Sequence, residues 1–123
     1  MPMMKAHIRS GFSPEQKAVL IGAYTDSIAT TLNMPLRSIR VMLEDLPNGA
    51  SAVAGVIDAE LTIIEVFMIE GRTEIQKTNL ITSLTESTAD SLGVSGESVR
   101  ILLHDMPKTN VGIGGQSAKA LGR

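Results

Sequence analysis

Residues 2–47 align without a gap on residues 62–107 at a constant offset of 60, and fourteen of those 46 pairs are identical. The matches include Gly11/Gly71, Gln16/Gln76, Lys17/Lys77, Ser38/Ser98, Arg40/Arg100 and Asp45/Asp105. A chain of 123 residues that writes one unit twice has little freedom. Two copies are too few for a solenoid, so they pack on each other as one pseudo-symmetric domain. The expected organisation is a first unit over 2–47 and a small-residue linker over 48–60, including Gly49–Gly55. A second unit follows over 61–107, then a Gly-rich hairpin or tail over 108–123.

Each copy reads strand, helix, strand. Met3–Arg9 is short and mostly apolar, and ends at the turn Ser10-Gly11. Ser13, Pro14 and Gln16 then give an N-cap, a first helical residue and a capping-box partner. Val19, Leu20, Ala23, Tyr24, Ser27, Ile28, Thr31 and Leu32 recur at the helical period, and Asn33 with Pro35 stops the helix. Arg37–Leu46 reads as the second strand. The second copy repeats the plan with a strand over Leu61–Ile69, the turn Gly71, the capping box Thr73/Gln76, the stop Gly93 and a strand over Glu97–Met106. Strands joined through a helix run parallel with a right-handed crossover. The fold class is therefore α/β: two β-α-β units forming a four-stranded mixed sheet with both helices on one face.

Leu61–Ile69 is apolar at almost every position, which predicts a strand covered on both faces. Two helices cover one face, so another subunit is expected on the other. Val111–Gly115 is expected to form a hairpin that extends the sheet edge.

Composition removes several classes of function. A net charge of −2, with no basic run and 2% aromatic residues, gives no basis for nucleic-acid binding. The absence of cysteine excludes disulfides and thiolate chemistry. No stretch of apolar residues is long enough to span a membrane and no signal peptide is read, so a cytoplasmic protein is expected. No histidine or carboxylate cluster has metal-ligand spacing, and no metal or cofactor is expected. His7 and His104 are read as non-functional, Tyr24 as packing, and Asp45 and Asp105 as turn caps beside Pro47 and Pro107.

Pro2 is the residue with unusual potential. Once the initiator methionine is removed it carries a free secondary amine at the start of a strand. An α-amino group ordinarily titrates near about 8, and burial or neighbouring cations lower that value. A prolyl amine held neutral this way is a proton-transfer base. With Met1 retained, the same nitrogen is a tertiary amide without useful basicity.

Ile69-Glu-Gly-Arg-Thr-Glu-Ile-Gln-Lys77, Ser98-Val-Arg-Ile101 and Gly112-Ile-Gly-Gly115, together with the amino-terminal proline, resemble the motif series of 4-oxalocrotonate tautomerase. The tandem arrangement is similar to the fused members of the tautomerase superfamily. That resemblance implies a homotrimer in place of the hexamer of the single-unit enzyme, and a small carboxylate substrate. It implies proton transfer on an unsaturated 2-oxo or 2-hydroxy acid, with Pro2 as base and Arg40, Arg72 and Arg100 binding carboxylate and the C2 oxygen. Phe12, Val111 and Ile113 fall at its substrate-binding positions. Three of the positions depart from the pattern: Thr62 stands where the second copy would need its proline, Phe12 replaces a turn arginine, and Val111 an aromatic residue. Val111 and Ile113 argue against hydration chemistry, which needs a carboxylate there. A sister decarboxylase or dehalogenase activity, or a catalytically silent binding or assembly protein, is the alternative.

Overall fold

The computed structural model describes residues 1–123. Strand β1 (Met3–Arg9) leads into helix α1 (Pro14–Leu32) and strand β2 (Arg40–Leu46). A small hairpin, β3 (Ala52–Val53) and β4 (Val56–Ile57), separates these from β5 (Thr62–Ile69), α2 (Glu74–Leu92) and β6 (Val99–Met106). A second hairpin, β7 (Gly112–Ile113) and β8 (Gln116–Ser117), follows. The main sheet has the order β2-β1-β5-β6, with β1/β2 and β5/β6 parallel and β1/β5 antiparallel. The four-stranded mixed α/β sheet expected from the duplication is present.

Both helices begin where the side-chain chemistry requires. Ser13 and Thr73 each accept from the third helical N–H, and Gln16 and Gln76 reach back to the capping backbone. Asn33 and Gly93 close the helices in the left-handed conformation. Leu20, Tyr24, Ile28 and Leu32 of α1 meet Leu80, Leu84 and Leu92 of α2 over Met4, Ala6, Ile8, Ile64, Val66 and Met68 of the two central strands. Val19, expected on this stripe, is exposed instead.

A buried polar seam ties the helices together. The Tyr24 hydroxyl hydrogen-bonds the Thr88 hydroxyl at 2.6 Å, and Ser27 Oγ meets Ser87 and Ser83 at 2.8 Å. Burial pushes the Tyr24 phenol up to about 12, the Thr88 contact acting weakly the other way. The neutral phenol is therefore favoured in the folded state. Stability from this group is fully present below about pH 10 and is lost as pH rises through the folded value, by roughly 2–3 kcal/mol. Urea titrations at rising alkaline pH are expected to show that loss, and Tyr24→Phe to lack it.

Several local expectations are corrected. The second strands start later than read, because Leu36–Ser38 and Gly96–Ser98 form 3-10 turns opened by Pro35 and Ser95. Asp45 and Asp105 do not cap turns; they pair with Lys17 (2.7 Å) and Lys77 (2.6 Å), tying each helix to its strand at equivalent positions. The tail hairpin forms, but as a separate two-stranded sheet. The segment 52–57 forms an equivalent hairpin, displaced from 112–117 by the same 60 residues, so the repeat runs through both hairpins. Both turns have positive φ at their two central residues. Ala54 (φ 51) sits there where the second copy has Gly114.

Strand β5 alternates in the single chain: Thr62, Ile64, Val66 and Met68 are buried, and the residues between them half-buried. The face away from the helices is open. It carries exposed Met3, Met42 and Leu102, beside the pairs His7–Glu44 (3.2 Å) and His104–Glu65 (2.9 Å). Phe67 stacks on His104 at 4.5 Å between ring centres.

Candidate active site

The amino terminus lies at one end of the sheet, where the strand pairing gathers cations around it. Parallel pairing sets Met3 opposite Arg40, and antiparallel pairing sets Met3 opposite Phe67. The Arg40 N–H donates to the Pro2 carbonyl at 3.2 Å, and the Arg40 guanidinium to the Arg37 carbonyl at 2.9 Å. Pro2 itself is buried.

Two adjoining clefts open at Met1, of about 400 Å³ and about 600 Å³. They share Met1, Ser38, Ile113 and Arg123. Arg72, Lys108 and Glu70 belong to the first; Lys5, Arg37 and Arg40, with Phe67 and Val111, belong to the second. Six cationic side chains (Lys5, Arg37, Arg40, Arg72, Lys108, Arg123) thus face a single carboxylate side chain, Glu70, in a chain whose net charge is −2. Burial lowers the pKa of the terminal amine below its ordinary value, and the charges of Arg40 and Arg123 lower it further.

Arg72 reaches the first cleft from the turn after β5, which Gly71 (φ 115) permits. Its Nη1 donates to the Leu32 carbonyl at 3.2 Å and its Nη2 contacts Met34 Sδ at 3.2 Å, so the end of α1 fixes the guanidinium. Of the sequence-derived site residues, Pro2, Arg40, Arg72, Val111 and Ile113 come together here. Lys5, Arg37, Lys108 and Arg123 also line the clefts, and no local motif marks them in the sequence.

Phe12 and Arg100 do not join this cluster within one chain. Arg100 pairs with Ile63, which pairs with His7, four residues along β1 from Met3 and so roughly 13 Å away. That opposite end is the pseudo-symmetric counterpart, and there Phe12 packs under Arg9. Arg9 lies 4.8 Å over the Phe12 ring and donates to Glu60 at 2.8 Å. Arg100 donates to the Glu97 carbonyl at 2.7 Å, as Arg40 does to Arg37. Thr62, in the place of Pro2, is fully buried and its hydroxyl has no partner. An unpaired buried hydroxyl is costly. Thr62→Val is expected to raise stability by about 1 kcal/mol, seen as a higher urea midpoint; a lower midpoint would show that the hydroxyl is satisfied.

No group of histidine and carboxylate side chains is placed to hold a metal ion. No helix is long and apolar enough to cross a membrane.

Comparison with known proteins agrees with this geometry. The family model described as tautomerase enzyme matches residues 5–59 and again 63–121, one match per repeat. A 2-hydroxymuconate tautomerase of Comamonas testosteroni is 44% identical over 59 residues, 48% of this chain and 94% of its own length. A fused 4-OT solved as a symmetric trimer superposes with a TM-score of 0.94 at 36% identity, covering 98% of this chain and 99% of that one. A structure of a protein inactivated by 2-oxo-3-pentynoate superposes with a TM-score of 0.96 at 38% identity, covering 98% and 99%. The chain belongs to the tautomerase family, as an isomerase of the 4-oxalocrotonate tautomerase type built from two fused repeats.

Proposed function

We propose that this chain, once processed to Pro2, moves a proton on a small unsaturated 2-hydroxy or 2-oxo acid, with the prolyl amine as base and acid. One observation carries the reading: the amino terminus lies in a half-buried cleft among six cations, where burial and the charges of Arg40 and Arg123 push the Met1 amine towards its neutral form. The same surroundings would act on a Pro2 amine once Met1 is removed. The neutral amine takes the proton of the 2-hydroxyl group, and the resulting prolinium returns it to carbon further along the conjugated chain. Arg40 and Arg72 hold carboxylate and the charge that develops on the C2 oxygen, because the guanidinium fork matches a carboxylate and stays charged. Val111 and Ile113 supply apolar wall. A dicarboxylate such as 2-hydroxymuconate, named in the relatives, suits a cleft with this excess of positive charge. Thr62 has no amine, so one such site operates per chain.

The open sheet face is the surface a second copy would cover. Exposed Met3, Met42 and Leu102 beside polar pairs suit burial between subunits, and the superposing fused 4-OT is a trimer. We read this chain as a homotrimer, in which Arg100 reaches a Pro2 cleft only from a neighbouring subunit. Sedimentation at three times the 13.1 kDa chain mass is the expected result.

The amine is tested with 2-oxo-3-pentynoate, whose alkyne is an electrophile activated by the adjacent ketone. Peptide mapping of the processed protein should find one adduct, on Pro2 nitrogen. An adduct elsewhere, or none, would remove Pro2 as the reactive base.

A further inference from the structure

Residues 118–123 follow the tail hairpin and could fray, yet the backbone ties them down. Ala118 N donates to Val111 O at 2.8 Å, Lys119 N to Lys108 O at 3.2 Å and Arg123 N to Ala118 O at 2.9 Å. Gly122 (φ 71) turns the chain back towards the clefts. Arg123 is thereby placed beside Met1 in both clefts, and it also lines a third, shallow groove, open to solvent, with Glu70, Lys108 and Lys119. It is common to all three. Arg9, Lys17 and Lys77 each have a carboxylate partner, whereas no carboxylate of the chain pairs with Arg123. The family match ends at residue 121, so Arg123 lies outside the shared pattern.

We infer that Arg123 is a substrate-binding residue of the Pro2 site, taking a carboxylate of a dianionic substrate at the cleft mouth while Arg40 and Arg72 act nearer the amine. This rests on the function proposed above. The backbone is held at the cleft while the exposed Arg123 side chain, with no hydrogen-bond partner of its own, keeps its donor fork free for an incoming carboxylate; ordering that side chain offsets part of the gain. Its charge opposes protonation of the Met1 amine from the same position, and would act likewise on a Pro2 amine.

The test compares Arg123→Gln with the parent and with Lys119→Gln, whose side chain lines only the shallow groove. In Arg123→Gln the KM for 2-hydroxymuconate is expected to rise about tenfold with kcat nearly unchanged, and the KM for monoanionic phenylenolpyruvate to change less than about twofold. The acidic limb of kcat/KM moves to higher pH, because a cation that opposed amine protonation has gone. Lys119→Gln shows neither change. Muconate, a diacid without the 2-hydroxyl group, is titrated calorimetrically on the same proteins to separate binding from chemistry. Muconate binding about tenfold weaker in Arg123→Gln supports the assignment even if no protein turns over. Equal muconate affinity, or an equal rise in KM for both substrates, would overturn it.

Discussion

In protein processed to residue 2, Pro2→Ala lowers kcat/KM for 2-hydroxymuconate by about 10²–10⁴, the range expected for loss of a positioned acid–base group. The substitution leaves an amine at the same place, but a primary one on a flexible residue, without the ring that fixes its direction. A larger loss is expected when Met1 stays in place, because the Pro2 nitrogen is then an amide. The two losses have different pH behaviour. Pro2→Ala keeps a residual rate with an acidic limb, since the amine of the substituted residue still titrates beside the cations of the clefts. Rates within about twofold of the parent for Pro2→Ala would mean that the proline ring is not needed for the proton transfer.

The second large effect falls on Arg72. Its guanidinium lines the first cleft and is tethered to the Leu32 carbonyl. Arg72→Ala is expected to lower kcat/KM by about 10²-fold, as for loss of one donor to a developing oxyanion. It also frees the carbonyl at the end of α1, costing about 1 kcal/mol of stability. Arg72→Lys keeps the charge without the fork and should recover only part of the rate. If Arg72→Ala lowered the urea midpoint yet left kcat/KM unchanged, the arginine would serve only to tie the helix end. Steady-state kinetics and urea titration on the same samples separate the two roles.

Local signals in the sequence were reliable where local chemistry decides the structure. The capping boxes at Ser13/Gln16 and Thr73/Gln76, and the stops at Asn33 and Gly93, place both helices within a residue of their observed ends. The duplication itself dictated the sheet. It went unread over 48–60 because identity fades there: Ala54, Val56 and Ile57 stand where the second copy has Gly114, Gln116 and Ser117, although the offset is unchanged. Arg37 and Glu97 looked like strand residues because no local pattern distinguishes a 3-10 turn from the first residues of a strand.

The site was less legible, for a topological reason. Arg40 and Arg100 are indistinguishable in the repeat, yet antiparallel pairing of β1 with β5 sends them to opposite ends of the sheet. Only Arg40 meets the amino terminus of its own chain. Arg123 and Lys108 arrive through the folding of the tail, over a separation that no spacing rule covers. The same pseudo-symmetry shows how the two ends differ: Phe12, with Arg9 over its ring, occupies the place that Arg72 takes at the other end.

A protein preparation that retains Met1, treated with a methionine aminopeptidase, tests the central claim most directly. Intact mass and enol-to-keto turnover of 2-hydroxymuconate are followed in the same aliquots. Turnover should rise in proportion to the fraction of chains lacking methionine, from near zero at the start. Turnover that is already present in the unprocessed chain, and indifferent to removal of the methionine, would contradict catalysis by the Pro2 amine.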